Sequence, residues 1–201
     1  MSFSNSVTII SIIVTLISII VAVYYGFQAK KLKKSKVSLD FEDISSACTD
    51  IADFLKGKKF QPDIVYTPGA KTGILAECIS QKFTQTPLVA VGILVWNGTE
   101  LSSYEIGDLD PISNHKWKIF IPSIVKINNI KKILIVDDIS MSGDGLKAIV
   151  RCLISCGFNK ENIKTATVVS SYVAKSSGKS PDYCWLETES GHFYFPWGKT
   201  K

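Results

Sequence analysis

The chain has 201 residues and a formal net charge of +5, and 46% of its residues are hydrophobic. This length fits one ordinary domain with an appendage. Five lysines within residues 30–36 carry the excess charge, since the rest of the chain has 18 basic and 18 acidic residues. The composition therefore implies no basic nucleic-acid-binding face, and nucleic acid is not an expected partner.

The N-terminal segment is apolar and uncharged. Residues 2–29 contain no charged side chain, and the run 7–27 would span about 31 Å as a helix, enough to cross a bilayer core. The alternatives are a buried core helix and a cleaved signal peptide, but a signal peptide normally has a positive start and a shorter apolar core. We expect a transmembrane anchor over 1–29 that contacts the lipid bilayer through 7–27.

The lysine cluster sets the expected orientation. Positive charge next to a membrane span stays on the cytoplasmic side. We therefore expect a basic linker over 30–39 and a domain over 40–201 in the cytoplasm. The protein is predicted to be single-pass in an inner or plasma membrane, with its N-terminus outside.

Strand and helix patterns alternate along the domain. Hydrophobic spacing predicts helices over 41–55, 73–83 and 143–156, and strands over 63–67, 88–96, 133–137 and 165–172. The polar stretch 97–118 is predicted to be irregular and to act as a flap, because it is longer than most connections. The aromatic tail 181–201 is predicted to be extended. This alternation indicates an α/β fold with a twisted, mainly parallel sheet flanked by helices.

The strongest chemical signal is the segment 133–146, which reads ILIVDDISMSGDGL. A buried strand ends in Asp137 and Asp138, and the loop 140–145 contains two serines and two glycines before a helix. Backbone N–H groups of such a loop bind anions at a helix N-terminus, and paired carboxylates suit ribose hydroxyls or hydrated Mg²⁺. A simple helix N-cap with a solvated neighbouring aspartate is the structural alternative.

The run VDDISMSGDG resembles the signature of the type I phosphoribosyltransferases. The resemblance implies that fold, with a small hood, and a site for 5-phosphoribosyl-1-diphosphate (PRPP). Asp137 and Asp138 would be catalytic, would address the ribose hydroxyls, and would hold Mg²⁺ as cofactor. The 5′-phosphate would be held by the loop residues Ser140, Met141, Ser142, Gly143, Asp144 and Gly145.

The segment PDIVYTPGAKTGILA resembles the strand, diphosphate loop and helix that open the fold in the 6-oxopurine branch of this family. The resemblance implies that the backbone of Gly69, Ala70 and Lys71 would meet the diphosphate, with the lysine adding charge. The alternative is an ordinary strand–helix turn with a solvated lysine.

Two later segments resemble the purine-binding parts of the same branch. SSYVAKSSGKSPDY would place Lys175 on the purine O6, and a lysine donor favours a 6-oxo group over a 6-amino group. GHFYFPWG would stack His192 on the base, with Trp197 in support. The alternatives are a surface lysine and aromatic core packing.

Three loop residues depart from the family pattern. Met141 stands where many members have an aspartate, Asp144 adds a negative charge, and Gly145 replaces a hydroxyl residue. Two functions are therefore open. One is a membrane-anchored transferase acting on PRPP and a 6-oxopurine base; the other is a weak or inactive PRPP- or nucleotide-binding module that regulates at the membrane. A homo-oligomer is compatible with either function.

Overall fold

The computed structural model describes residues 15–21, 23–24, 36–100, 111–127, 131–189 and 192–199. The first two ranges are helical, and their large apolar side chains are exposed. Most of the predicted membrane segment 7–27 lies outside the described residues. Within the described ranges, no helix has both the length and the apolar character needed to span a bilayer.

The helices and strands from residue 36 onward follow in chain order, with short 3₁₀ turns at Ala70–Thr72 and Lys160–Asn162. They are β1 (Lys36–Ser38), α1 (Phe41–Gly57), β2 (Ile64–Thr67), α2 (Gly73–Ser80), β3 (Leu88–Val91), β4 (Ile93–Trp96), β5 (Pro111–Ser113), β6 (Trp117–Phe120), α3 (Ser123–Lys126), β7 (Ile133–Ser140), α4 (Asp144–Ser155), β8 (Ile163–Ser171), α5 (Tyr172–Ser176), β9 (Tyr183–Thr188), β10 (His192–Phe195) and β11 (Gly198–Lys199).

The main sheet is parallel throughout and has the strand order β3-β2-β7-β8-β9. Strand β7 lies in the middle, and its first four residues are fully buried. Strands covered on both faces are apolar without alternation, which explains the continuous run that begins at Ile133. The predicted α/β architecture with a mainly parallel sheet is confirmed.

Helices cover both faces of the main sheet. Helices α1 and α2 pack with Leu134 and Val136 in one buried cluster, while α4 packs with Ile133 and Ile135 in another. Helix α1 begins with a capping box, in which the Asp40 carboxylate accepts N–H bonds from the first turn. All three predicted helices are present, although α2 ends three residues before the predicted end.

The predicted long strand over 88–96 is wrong, because it is broken at Gly92 into β3 and β4, which belong to different sheets. A Cβ on Gly92 would overlap the Tyr66 hydroxyl and the Phe120 carbonyl oxygen. The Gly92 N–H donates to the Thr67 carbonyl at 2.8 Å. The chain therefore turns away from the main sheet where only a glycine fits.

The predicted irregular stretch 97–118 also contains strands. Strands β4, β6 and β5 form an antiparallel sheet, here named the flap sheet. Trp117 of β6 pairs in register with Trp96 of β4, and their rings stack with centroids 4.5 Å apart. Residues 101–110 of the predicted flap lie outside the described residues.

We expect Gly92→Ala to destabilise the protein by more than about 2 kcal/mol, because neither the Phe120 carbonyl nor the buried Tyr66 ring can move freely. Gly98→Ala is the matched control, since a Cβ there meets nothing within 4 Å. Thermal unfolding of both variants checks the difference, and equal melting temperatures would contradict this explanation of the strand break.

A second small sheet joins the two ends of the domain. Strand β1 runs parallel to β10, and β10 pairs antiparallel with β11, forming the terminal sheet. Lys36–Ser38, which the sequence placed in the basic linker, is therefore a strand; Val37 opposes Phe193 and packs on the core. The predicted extended tail is folded into β9, β10 and β11. The flap and terminal sheets stand beside the main sheet, where one small hood was expected.

Candidate active site

Strand β7 delivers both aspartates to the carboxyl edge of the main sheet. It continues three residues beyond its predicted end, to Ser140. Asp137 lines a cavity, and its Oδ1 accepts the Asp138 N–H at 3.0 Å. Asp138 Oδ2 instead accepts the Trp197 indole N–H at 3.1 Å. The adjacent carboxylates thus have different surroundings, as expected for neighbours on a strand.

The pKa of both carboxyl groups is raised. Burial raises the pKa of Asp137 well above its ordinary value, and the negative charge of Asp138 raises it further. Burial also raises the pKa of Asp138, against the opposing effects of the Trp197 hydrogen bond and the positive charge of Lys71. A cation or hydroxyl donors at this edge would stabilise the ionised form of both carboxyl groups.

The loop after β7 curves around a glycine. Gly143 has φ +72°, in the left-handed region, and is the N-cap of α4. A Cβ there would overlap the Lys179 carbonyl oxygen. The loop is also held by Ser171, whose hydroxyl donates to the Met141 carbonyl. The predicted small-residue loop that leads into a helix is thus present, and α4 begins at Asp144.

A cavity of about 170 Å³ lies between this loop and the flap sheet. Its walls include Asp137, Leu94 of β4 and Trp117 of β6. The Ser140 hydroxyl and the Trp117 indole N–H are buried, and neither has a hydrogen-bond partner among the described residues. Buried polar groups are normally paired, so two residues that line this cavity each leave one hydrogen-bonding group unused within the described part of the protein. Ser140, Met141, Ser142, Gly143 and Gly145, all predicted phosphate-binding residues, line the same cavity.

Asp144 does not line this cavity. Its two carboxylate oxygens bind Lys116 Nζ at 2.5 Å and Lys179 Nζ at 2.6 Å. These hydrogen bonds hold the pKa of Asp144 below its usual range. The negative charge expected to oppose a phosphate is therefore compensated by two lysines, one from the turn between β5 and β6 and one from the loop after α5. A phosphate-binding role for Asp144 stays a prediction.

The predicted diphosphate loop lies beside the aspartates. Strands β2 and β7 are adjacent and parallel, so the 3₁₀ turn after β2 reaches the same sheet edge as Asp138. The Gly69 carbonyl accepts hydrogen bonds from both the N–H and the hydroxyl of Thr72, at 3.2 and 2.8 Å. These two bonds fix the turn. Lys71 is exposed, and its charge reaches Asp138.

Lys175 lies on α5, at the end of β8. The Lys175 side chain is 58% exposed, and its ammonium group binds Glu187 Oε2 at 2.6 Å. This contact raises the pKa of Lys175. Glu187 lies opposite Ser170 in the β8–β9 register, so it shares the sheet edge with the lysine. Glu187 was not predicted as a site residue.

The two predicted aromatic residues are placed differently. Trp197 stacks on Phe195 with centroids 5.3 Å apart, and its indole reaches Asp138. His192 is exposed at the start of β10, about 10 Å along the strand from Phe195. The structure therefore joins Trp197 to the acidic pair, while the stacking role of His192 stays a prediction. Sequence reasoning missed Trp117 and Lys116, which lie in the stretch predicted to be irregular, and Lys179, which lies four residues after Lys175 in the segment SSYVAKSSGKSPDY.

Comparison with known proteins gives the same family and fold. The family model described as the phosphoribosyl transferase domain matches residues 40–199, while no curated protein matches the chain in sequence. The fold is similar to a purine phosphoribosyltransferase from Pyrococcus horikoshii (TM-score 0.60, 20% identity, covering 83% of this chain and 96% of that one). It is also similar to the xanthine-guanine-hypoxanthine phosphoribosyltransferase of Helicobacter pylori (0.54, 14%, 81% and 93%). A third similar structure is a hypothetical protein from Neisseria gonorrhoeae with bound ppGpp (0.58, 16%, 81% and 88%).

Proposed function

The chain belongs to the phosphoribosyl transferase domain family, and we propose that it transfers the ribose 5-phosphate group of PRPP to a 6-oxopurine base with release of diphosphate. The observation that carries this proposal is the cavity that Asp137 lines together with the glycine loop, where the buried Ser140 hydroxyl is left without a partner among the described residues. Carboxylates accept ribose hydroxyls, and the loop amides with the α4 N-terminus bind a phosphate.

The chain's residues would act mainly by positioning. The base nitrogen forms a bond to ribose C1 while the bond from C1 to diphosphate breaks, and the diphosphate leaves with the bonding electrons. The aspartates would fix the ribose, the loop would fix the 5′-phosphate, and Lys71 would face the departing anion. The flap sheet, held to the loop by the Lys116–Asp144 ion pair, would exclude water.

Asp137 and Asp138 fit Mg²⁺ as a cofactor. The described residues hold no group of three or more metal-ligating side chains. Mg²⁺ is commonly bound through one or two carboxylates, with water and substrate oxygens completing its shell, and the adjacent Asp137 and Asp138 could supply them. When bound, Mg²⁺ would neutralise charge on the leaving diphosphate.

Lys175 would select the base by donating to its O6 atom, with Glu187 holding the ammonium in place. We expect Lys175→Gln to raise KM for guanine about tenfold, the effect of losing one charge-assisted hydrogen bond. Lys160→Gln, an exposed lysine elsewhere on the surface, is the control and should leave KM unchanged. Steady-state kinetics separates the two; an unchanged KM in Lys175→Gln would remove this lysine from the base site.

We also propose that residues 7–27 anchor the domain to the cytoplasmic face of a membrane. The described helical residues support this, because Ile17, Ile20 and Val23 are about half exposed or more in a segment without charge. The test is extraction of cell membranes with alkaline carbonate. We expect the full chain to stay in the pellet, and its appearance in the supernatant would contradict the anchor.

A regulatory module is the second candidate function. Met141, which stands where many family members have a carboxylate, is 46% exposed on the wall of the cavity. A missing general base typically costs about 10²–10⁴-fold in rate, while binding survives. The similar Neisseria gonorrhoeae protein with bound ppGpp supports nucleotide binding by this fold.

Turnover separates the two functions. The full chain in detergent micelles, given Mg²⁺ and PRPP, is assayed for diphosphate release with guanine, xanthine, hypoxanthine or adenine. The proposal predicts release with at least one 6-oxopurine and little with adenine. Release with adenine alone would overturn the base assignment, and PRPP binding without release from any base would favour the regulatory module.

A further inference from the structure

A second cavity, of about 250 Å³, is lined by Asp144, which does not line the first cavity, and by Trp117, which lines both. We name it the outer basic pocket; it is lined chiefly by His115, Lys116, Asp144, Lys147, Arg151 and Lys179. Four cationic side chains face one carboxylate here. The domain as a whole is formally neutral, so this excess of positive charge is local.

The pocket is built from three parts of the chain. Asp144, Lys147 and Arg151 are spaced at three and four residues along α4 and therefore share one face of the helix. Lys116 comes from the turn between β5 and β6, and Lys179 from the loop after α5. The turn is fixed, because Asn114 Oδ1 accepts the N–H groups of the two residues after His115, at 2.8 and 2.7 Å.

The positive charge is only partly used within the protein. Asp144 binds Lys116 and Lys179 but offsets only one of their two positive charges, and each ammonium group has three N–H donors. Among the residues that the structure describes, Lys147 Nζ bonds only to the Gly178 carbonyl, at 2.8 Å. The Arg151 guanidinium makes no hydrogen bond or ion pair with any described residue. Lys147 and Arg151 therefore place two positive charges on one helix face without an ion pair to a carboxylate of the described residues. Such a site favours an anion.

Arg151 points to the class of anion. It is the only arginine among 23 basic residues of the chain. Its planar fork binds phosphate in two-point fashion, which a lysine cannot do. Arg151 lies about 10 Å along the helix axis from Asp144, which binds Lys116 and Lys179. One phosphate group cannot bridge this distance.

We propose that the outer basic pocket is a second anion site, separate from the PRPP cavity, for a small ligand that carries two or more phosphate groups. One end of the phosphate chain is held by Arg151 and Lys147, and the other by Lys116 and Lys179. A single-phosphate ligand or lipid headgroup reaches one end only. It binds at least about tenfold more weakly, because one or two charge-assisted hydrogen bonds are lost.

The test is calorimetric titration of the full chain with inorganic tripolyphosphate in Mg²⁺-free buffer. The Lys147→Gln/Arg151→Gln variant should weaken binding about tenfold or more, whereas Lys56→Gln/Lys58→Gln, which removes the same charge near the end of α1, should change it less than about twofold. Arg151→Lys should fall between, because charge is kept and the fork is lost.

Melting temperatures equal to the wild type show that these substitutions leave the fold intact. If tripolyphosphate binds only in the PRPP cavity, the Lys147→Gln/Arg151→Gln isotherm will match the wild type and the proposal fails. Equal weakening by both double variants would also overturn it, since the effect would then be one of overall charge. Neither outcome depends on catalytic turnover, so the transferase proposal is tested independently.

Discussion

Asp137→Asn is expected to raise the melting temperature of the ligand-free protein and to reduce turnover at least about 10²-fold. Burial raises the pKa of Asp137, so its ionised form is disfavoured in the folded state at neutral pH. Asparagine keeps the shape and removes the charge. A gain on the order of 1 kcal/mol corresponds to about 2–4 °C for a protein of this size.

The pH dependence follows from the same shift. Because the pKa of Asp137 is higher in the folded than in the unfolded chain, the folded state binds more protons between the two values, and stability falls as pH rises through that interval. As the pH rises from the ordinary aspartate pKa to the raised pKa of Asp137, we expect the stability of the wild type to decrease relative to that of Asp137→Asn. Thermal unfolding across this range measures the trend.

Asp138→Asn is expected to reduce turnover similarly with a smaller gain in stability, since the Trp197 hydrogen bond already supports this carboxylate. Asp50→Asn is the control, because its exposed carboxylate accepts the Trp185 indole N–H at 2.9 Å far from the cavity. That variant should leave turnover unchanged. An Asp137→Asn protein that melts lower than the wild type, or that keeps its turnover, would contradict the electrostatic account.

Gly143→Ala is expected to destabilise the protein by about 2–5 kcal/mol and to weaken PRPP binding. A left-handed alanine costs about 1–2 kcal/mol, and overlap of its Cβ with the Lys179 carbonyl adds about 1–3 kcal/mol. Either the loop or residue 179 must shift. A shift of the loop moves the amides that would face the 5′-phosphate.

Gly178→Ala separates the two causes. Gly178 has φ +64°, but a Cβ there meets nothing within 4 Å. It should lose only the conformational part, about 1–2 kcal/mol, with PRPP affinity intact. Chemical denaturation and calorimetry of both variants give the comparison. Equal stabilities would mean that the close approach of Lys179 has no energetic weight.

The central part of the site could be predicted from sequence because its signals are local. Four buried apolar residues before Asp137 mark a strand covered on both faces, and Gly143 marks the turn into α4. The order of strand, loop and helix is fixed by neighbours in the chain. The same is true of β2 and the turn that contains Lys71.

Contacts between distant segments could not be predicted. Asp144 is 28 residues from Lys116 and 35 from Lys179, so nothing in the loop sequence indicates that its charge is compensated. The break at Gly92 depends on Tyr66 and on a carbonyl from β6. Strand β1 was hidden because its short pattern adjoins the lysine cluster, and its partner lies at the other end of the chain.

The most direct test of the proposed site is PRPP binding by the full chain, measured by calorimetry with and without Mg²⁺. We predict Mg²⁺-dependent binding to the wild type and at least about tenfold weaker binding to Asp137→Asn/Asp138→Asn, because the paired carboxylates would hold both the ribose and the cation. Equal affinity in the double variant, or no PRPP binding by the wild type, would contradict the assignment of this cavity to PRPP.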